Sequence, residues 1–460
     1  MHLIHFFLSL KPHSRFFKWF GNHGTAKALW IFLLLFWMSQ SGHLLAQSSP
    51  HPIALTSDEF KSCKLHPTGI ENAHPFIPLN GGKLTLSFDH LGSTWRPLEI
   101  RWKHCTFDWY DSPDFSPSDY IAGFPSMTFD AVENSFNTKV SYTHYFTQFP
   151  NDLMRFTKSG NYLVEVYDSN DPDQVLISRR FVVYENLIDI EMYVGESSVI
   201  RDKRTHQEVD VALMHSNDRY AIVDAYDALQ TVVLQNGKWQ GALFGMEPQF
   251  VRGEEVNYNP MGSESFAGGN SWRFADLKSL RFASLGVSRI VDDGAQWRIL
   301  LDVDEPRTYD VHQARADLDG HFVIANDRQE DNTGSDYVWV DFTLKTHEER
   351  IGEDIYIFGE ISDWLYPNSH RMVWDAKNRQ YKATLNLKQG YYNYLYITRP
   401  AVARGKNDAA ALKEFPGDVM ALEGSHARAD NPYQVIAYYW DFSGYDRVIG
   451  FQSSKPGNLP

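Results

Sequence analysis

The chain has 460 residues, with 58 acidic and 43 basic side chains and a formal net charge of −15 at pH 7. This length suits about two or three domains, and the negative charge excludes nucleic-acid binding through phosphate neutralisation. The charge is spread along the chain, which indicates a solvated acidic surface that anionic lipid would repel. Aromatic residues make up 15% of the sequence, a share that suits tightly packed β-sheets.

Residues 1–46 have the layout of a signal peptide. Several basic residues, the last of them Lys27, precede an apolar run from Ala28 to Met38, and a polar stretch then leads to the small residue Ala46. The apolar run is too short for a comfortable membrane span, and an uncleaved anchor is the alternative. We therefore expect an exported chain without direct membrane insertion. The absence of a cysteine near the cut argues against a lipoprotein.

Residues 47–186 are predicted to form an N-terminal β-sandwich. Leu84, Leu86 and Phe88 alternate along one strand, and a long aromatic strand follows from Leu98 to Asp108. The stretch from Ser135 to Glu185 then carries three strand-like runs separated by turn residues. Short strands at this spacing favour an antiparallel sandwich over a helical domain.

The first module also holds both cysteines and most of the residues that suggest chemistry. Cys63 and Cys105 could pair in an exported chain, closing a loop of about 40 residues and adding roughly 4 kcal/mol of stability. Two buried thiols are the alternative. His104, Cys105 and Asp108 lie close in sequence, but neighbours on a strand point to opposite faces, so we expect no nucleophile–base pair. His144 shares its strand face with aromatic residues and is expected to be a packed side chain.

Residues 187–350 are predicted to form a middle β-rich domain, and residues 351–460 a C-terminal sandwich. The run from Lys388 to Ile397 repeats the pattern of Ser159 to Tyr167, in which a glycine turn opens a strand with an early tyrosine at a sheet corner. Such Gly-x-Tyr entries recur in immunoglobulin-like sandwiches. The run from Ile355 to Trp364 looks like the first strand and loop of the early-set type. We therefore expect the N-terminal and C-terminal modules to be immunoglobulin-like.

The search for a reaction centre in these later modules finds only weak patterns. The Asp-Leu-Asp-Gly run at 317–320 resembles the start of a calcium loop, but its twelfth position is Arg328, so a hairpin turn is expected. Asp302, Asp304 and Glu264 are carboxylates without a feature that marks them for glycoside hydrolysis. The sequence has no P-loop, G-x-S-x-G, H-E-x-x-H or C-x-x-C motif. We predict no catalytic, metal or cofactor site.

Several short phrases occur in a specific order along the mature chain. They are Leu84 to Asp89, His104-Cys105 with Asp108-Trp109, Tyr120 to Gly123, Ser135 to Glu185, Phe266 to Asn270 with Arg273-Phe274 and Asp276, Gly359 to Trp364, Gln389 to Tyr394, Glu423-Gly424, Asn431 to Tyr433, Tyr438 to Trp440, and Asp446 to Gly450. Together they resemble the plug protein family of the Bacteroidota type IX secretion system. Ser271-Trp272 departs from the pattern, since an acidic residue is expected there.

The resemblance implies a non-enzymatic role without a cofactor. A plug of this family is periplasmic, docks on the periplasmic side of the giant outer-membrane type IX translocon barrel, and closes its pore when no cargo complex is bound. It is expected to be monomeric when free. Because aromatic side chains anchor interfaces, the segment Asp108 to Phe124 is a possible contact surface, with core packing as the rival interpretation. Its aromatic residues are Trp109, Tyr110, Phe115, Tyr120 and Phe124.

Two other functions remain as alternatives. A periplasmic polysaccharide-binding protein would require Trp364 or Trp374 to be exposed for stacking on sugar, although tryptophans at strand ends are more often core residues. A secreted glycan-active hydrolase would require a cleft with two facing carboxylates.

Overall fold

The computed structural model describes residues 51–92, 94–259, 261–262, 264–328, 332–401, 417–440 and 444–454, and the predicted signal peptide lies outside these ranges. Strands dominate the described chain. Its helices are only α1, Pro117–Tyr120, and α2, Met420–Glu423, with 3-10 turns at Glu360–Ser362 and Asn368–His370. The prediction of an all-β sandwich fold is therefore confirmed. No helix among the described residues is long and apolar enough to cross a membrane.

The first sandwich contains the first twelve strands. They are β1 Ala54–Thr56, β2 Phe60–Pro67, β3 Phe76–Pro78, β4 Leu84–Leu91, β5 Leu98–Cys105, β6 Ile121–Gly123, β7 Ser126–Thr128, β8 Ala131–Asn134, β9 Tyr142–Phe149, β10 Met154–Phe156, β11 Gly160–Asp168 and β12 Asp171–Tyr184. One sheet has the order β1-β12-β11-β5-β7, with β3 parallel to β12, and the other has the order β2-β4-β9-β8. Strands β6 and β10 form a separate pair.

Alternation along the strands fills the core of this sandwich. Leu84, Leu86 and Phe88 are fully buried and pack in one cluster with Trp102 and Tyr145 from both sheets. Removing one such side chain from water contributes about 1.5–3 kcal/mol, so the period-two pattern accounts for both the strand and its orientation.

The second sandwich begins after Asn186. Its strands from this part of the chain are β13 Asp189–Glu196, β14 His206–Met214, β15 Leu229–Gln235, β16 Phe250–Arg252, β17 Glu255–Tyr258 and β18 Phe266–Ala267. One sheet has the order β13-β14-β17-β16, with β18 also paired to β14. Strand β15 finds no partner among these strands, since it pairs with a strand near the end of the chain.

The third sandwich follows before the second is complete. Its strands are β19 Arg273–Asp276, β20 Val287–Asp292, β21 Trp297–Leu301, β22 Phe322–Ile324, β23 Tyr337–Lys345, β24 Glu353–Phe358, β25 Val373–Asp375, β26 Gln380–Lys388 and β27 Gly390–Pro400. One sheet has the order β20-β21-β23-β26-β25, in which β21 and β23 are parallel. In the facing layer, β27 pairs with β19, β22 and β24.

The chain then returns to the second sandwich with β28, Tyr433–Trp440, and β29, Asp446–Ser453. Strand β28 lies between β15 and β29 and completes the second core. The points where the chain leaves and re-enters are adjacent, because the side-chain amide of Asn431 donates to the carbonyl of Gly268 at 2.7 Å. The third sandwich is thus an insertion in the second. The module boundaries predicted at 186/187 and 350/351 assume consecutive modules, and they stay predictions. The pairing of β15 with β28 is the observation against which they should be tested.

The two glycine-tyrosine entries have the same hydrogen bond. Tyr162 in β11 donates its hydroxyl to the carbonyl of Lys158 at 2.8 Å, and Tyr392 in β27 donates to the carbonyl of Lys388 at 2.7 Å. In each case the acceptor lies four residues earlier, as in the corner tyrosines of β-sandwiches. The similarity noted in the sequence is therefore a shared local structure.

Candidate functional site

The predicted contact segment is divided between core and surface. Trp109 is 1% exposed and packs edge-on against Trp239 of the second sandwich, with ring centroids 4.7 Å apart. Tyr120 is also buried, and its hydroxyl donates to the carbonyl of Trp102 at 3.1 Å. Tyr110 and Phe115 are half-buried, and Phe124 is 62% exposed.

Contact with a partner through this segment stays a prediction. Because Trp109 and Tyr120 are buried, the candidates that remain are exposed Phe124 and the half-buried Tyr110 and Phe115. Phe124 lies beside a second exposed apolar residue, Leu153, whose carbonyl accepts a hydrogen bond from the Phe124 amide at 3.0 Å.

The two cysteines are free thiols, and both are buried. Cys63 belongs to the core of the first sandwich, whereas Cys105 belongs to a cluster that joins this sandwich to the second. Burial raises the pKa of each thiol to about 12, so both are protonated at neutral pH. The two thiols are therefore not bonded in this structure, and the disulfide considered for an exported chain stays a prediction.

His104 and Cys105 point to opposite sides of β5. His104 packs against Tyr162 on the side of the first core, with ring centroids 5.0 Å apart, whereas Cys105 lies on the side of the second sandwich. His104 bonds Ser112 Oγ at 2.7 Å. Burial lowers the pKa of His104 to about 4, so it is a neutral packed group.

One trio of side chains has atoms close enough to bind a metal ion. The ligand atoms of His51, Cys105 and Asp111 lie within 4.8 Å of one another, and the His51 ring nitrogen is 2.8 Å from the Asp111 carboxylate. A metal would need the thiolate, and burial raises the pKa of Cys105 to about 12, so its binding would have to displace a proton. The positive charges of Arg180 and Lys103 also act on this thiol and would repel a cation. The trio fits a metal ion poorly.

A polar cleft of about 240 Å³ lies between the first and third sandwiches, with Glu71 and Asp89 as its acidic lining residues. Asp89 is fully buried and accepts hydrogen bonds from Lys388 Nζ, from the His144 ring and from the Tyr337 hydroxyl, each at 2.6 Å. The packed histidine expected at His144 is thus a partner of this carboxylate.

The Asp89 cluster has the opposite electrostatics from a hydrolase acid. Burial alone would raise the pKa of Asp89, but Lys388 and His144 outweigh it and hold the pKa below its usual range. A general acid in glycoside hydrolysis needs a raised pKa. Asp89 therefore acts as a buried counter-ion that links two sandwiches.

The tryptophans considered for sugar stacking are both half-buried. Trp364 packs among Trp272, Phe358 and His321, with ring centroids 5.5–5.9 Å away. Trp374 packs against Tyr381 at 4.9 Å. Neither tryptophan is fully exposed, and the polysaccharide-binding alternative stays a prediction.

The most distinctive surface feature was missed by sequence reasoning. A long loop, residues 302–321, joins β21 to β22. Loops longer than about 12–15 residues without regular structure are usually functional or disordered. At its tip Tyr309 is 97% exposed and Val311 is 84% exposed. Nothing in the local sequence distinguishes these two residues from core residues of the same types.

Buried ions hold the long loop at its base. Glu423 in α2 is fully buried and accepts hydrogen bonds from Arg273 Nε at 3.0 Å and from Arg307 Nε at 2.8 Å. Burial alone would raise the pKa of Glu423, but these two guanidinium groups outweigh it and keep the pKa below its usual range. Further hydrogen bonds run from Arg307 N to the Leu422 carbonyl and from Thr308 Oγ1 to the Ala421 carbonyl.

Several phrases that carry the family resemblance meet at this base. The side-chain amide of Asn270 donates to the Glu423 carbonyl at 3.0 Å. Gly424 has a φ of +75°, and a Cβ there would lie 3.0 Å from the carbonyl oxygens of Arg307 and Thr308. A side chain at Gly424 would therefore push the loop away. Residues from these sequence phrases therefore hold the base of one loop, whose tip is exposed.

The run at 317–320 is a turn, but not the hairpin turn expected from the sequence, because β21 and β22 on either side of it belong to different sheets. Asp319 has a φ of +51° and Gly320 a φ of +88°, and the His321 amide donates to the Leu318 carbonyl at 2.9 Å. Asp317 accepts a hydrogen bond from the Trp272 amide at 2.9 Å, which fastens the end of the long loop to the third sandwich.

Comparison with known proteins gives one family and one related structure. Residues 60–185 match the family described as the type 9 secretion system plug protein 1st domain. The crystal structure of a hypothetical protein from Parabacteroides merdae ATCC 43184 is similar to the chain, with 27% identity and a TM-score of 0.82 over 88% of this chain and 100% of that one. No curated protein matches the sequence. The resemblance seen in the sequence is confirmed by the family match, and the fold extends well beyond the matched domain.

Proposed function

We propose that this member of the type 9 secretion system plug family is a non-enzymatic periplasmic plug. It docks on the periplasmic side of the outer-membrane translocon barrel and closes the pore when no cargo complex occupies it. The observation that carries the proposal is the match of residues 60–185 to the first domain of plug proteins. The signal-peptide layout of residues 1–46 supports an envelope location.

The described residues support a role through shape and surface contact. Two groups that first suggest chemistry are engaged in structural contacts: His104 is packed in the first core, and His144 binds the buried carboxylate of Asp89. A plug needs a rigid body and a docking surface of standard size, which buries about 1,600 Å² in total. Three sandwiches joined by buried contacts provide such a body.

Two exposed regions are candidates for the docking surface. The first is the tip of the long loop, where Tyr309 and Val311 are exposed on an ion-anchored base. The second is the edge formed by Phe124 and Leu153. Because a fixed loop loses little conformational freedom on binding, we favour the loop tip.

The proposal is tested by purifying the tagged native protein from outer membranes and by measuring pore leakage in a strain that lacks it. We expect the translocon barrel to co-purify with the protein, and we expect its deletion to make the outer membrane leaky to molecules that fit the pore. A protein that purifies without the barrel, and whose loss leaves leakage unchanged, would overturn the plug function.

A further inference from the structure

A cavity of about 80 Å³ lies where the three sandwiches meet. The first sandwich contributes His74 and Arg180, the turn after β15 contributes Lys238, and the third sandwich contributes His321 and Glu360. The rings of His74 and His321 are 4.5 Å apart, so the two histidines meet across the joint. The cavity is thus lined by residues of all three sandwiches, with more basic side chains than acidic ones.

Both carboxylates of the lining already have cationic partners. The carboxylate of Asp363 accepts a hydrogen bond from Arg179 Nη2 at 2.8 Å. The carboxylate of Glu360 lies 3.4 Å from Lys64 Nζ and accepts a hydrogen bond from the Phe322 amide at 2.9 Å. Burial alone would raise the pKa of Glu360, but Lys64 outweighs it and the pKa falls to about 2. These acids therefore cannot also neutralise the remaining cations.

Two cations of the lining are left without an acidic partner among the residues that the structure describes. Lys238 is half-buried and makes no ion pair there, and partial desolvation lowers its pKa to about 8. Arg180 stacks on Trp109 at 4.3 Å and donates one hydrogen bond to the His51 carbonyl, while its buried Nε has no acceptor. The buried Nε2 atoms of His74 and His321 also have no partner.

Such an arrangement is costly unless something neutralises it. Both cations are half-buried, and a poorly solvated charge without a partner is less favourable than one that is paired and hydrogen-bonded. A single water occupies about 10–15 Å³ of this kind of volume, so the cavity has room for several waters or for one small oxyanion. An oxyanion would accept hydrogen bonds from Lys238 and Arg180 and cancel their charge.

We propose that the junction cavity binds a small tetrahedral oxyanion, inorganic phosphate or sulfate, held by Lys238 and Arg180. The site is independent of the plug function. Because its lining comes from all three sandwiches, a bound oxyanion stabilises their joint as well as the chain.

The test is thermal unfolding of the purified mature chain as phosphate, and separately sulfate, replaces chloride at constant ionic strength. We expect a saturable rise in Tm, accompanied by a change in the fluorescence of Trp239 and Trp364, which line the cavity. Lys238→Met keeps the aliphatic stem and should weaken binding by about tenfold or more, since a charge-assisted hydrogen bond is lost. Lys238→Arg should bind, because it keeps the charge.

The matched control is Lys345→Met, which removes an exposed lysine far along the sequence and should bind like the parent chain. In chloride alone, Lys238→Met should be at least as stable as the parent, because an unpaired charge is gone. The proposal fails if Tm rises without saturation and equally in all variants, which would indicate a general salt effect. It also fails if Lys238→Met binds as tightly as the parent chain.

Discussion

At the scale of single residues, Asp89 is the group on which the contact between the first and third sandwiches depends most. It is buried, and three donors converge on it, including the ammonium of Lys388. Asp89→Asn would leave the buried Lys388 charge without its counter-ion. We expect a loss of about 3–5 kcal/mol in the free energy of unfolding, measured by urea denaturation.

Asp341→Asn is the control for that measurement. Asp341 pairs with Arg298 through two hydrogen bonds of 2.6 and 2.7 Å, but Arg298 is about half exposed. A surface pair of this kind contributes less than about 1 kcal/mol. If Asp89→Asn costs no more than Asp341→Asn, then the buried cluster does not hold the two sandwiches together.

His104 gives stability a defined dependence on pH. Burial lowers its pKa to about 4 in the folded chain, whereas an unfolded histidine titrates near ~6.5. Between these values the unfolded state binds more protons, so stability is complete above pH ~6.5 and falls as the pH drops towards ~4. For this group alone we expect a loss of about 2 kcal/mol between pH 7 and pH 5.

Urea midpoints at the two pH values test this expectation. His104→Gln should lower stability at neutral pH yet reduce the fall on acidification. His347→Gln, at an exposed position, should leave the fall unchanged. An unaltered pH dependence in His104→Gln would show that other groups are responsible.

At the scale of elements, the sequence predicts what depends on local pattern. Leu84, Leu86 and Phe88 alternate and form one face of β4, and the two Gly-x-Tyr entries make the same corner hydrogen bond. The predicted contact segment shows the limit of such reasoning. Aromatic content alone does not distinguish buried Trp109 from exposed Phe124, because the difference is made by Trp239, a residue of another sandwich.

The long loop was missed for the same physical reason. Its order comes from Glu423, which lies 116 residues after Arg307 in the chain. No window of neighbouring residues contains that ion pair, so only the folded structure reveals that the loop is fixed and that its tip is exposed.

The loop tip also yields a prediction about docking, which depends on the plug function. Tyr309→Asp combined with Val311→Asp places two charges on the favoured contact surface and should reduce co-purification of the translocon barrel by about tenfold or more. The fold should be unchanged, since both side chains are exposed. Circular dichroism and Tm check this.

Ile351→Asp is the matched control, because Ile351 is 91% exposed in another turn. Phe124→Asp tests the rival edge beside Leu153. If the loop variant still retains the barrel while Phe124→Asp loses it, the docking surface lies at the segment inferred from sequence. If the parent chain itself retains no barrel, then the plug function fails and the choice of surface has no meaning.

At the scale of the whole molecule, the order of strands in the sheets differs from their order along the chain. Strand β15 pairs with β28, which follows it by about two hundred residues, and the third sandwich lies between them in sequence. Such long-range pairings leave no local signal, because strand patterns have the same period whichever partner they find. The boundaries predicted at 186/187 and 350/351 assume consecutive modules, and they stay predictions.

Two shortened chains distinguish an insertion from consecutive modules. Replacing residues 270–429 with a short Gly-Ser linker removes the third sandwich, and the ends to be joined are close, since Asn431 bonds Gly268 at 2.7 Å. The core clusters of the first and second sandwiches take all their buried members from outside the removed range. We expect a soluble protein with cooperative thermal unfolding and a β-type circular dichroism spectrum.

A chain that ends at Arg350 follows the predicted boundary of the C-terminal module. It should be insoluble or unfolded, because it loses β28 and the buried residues Tyr433 and Val435 from the second core, and it loses β26 and β27 from the third. Exposed edges of β15 and β23 would then favour aggregation. If this chain folds cooperatively and the excised one does not, the modules are consecutive, and the cores of the second and third sandwiches are stable without strands β24–β29.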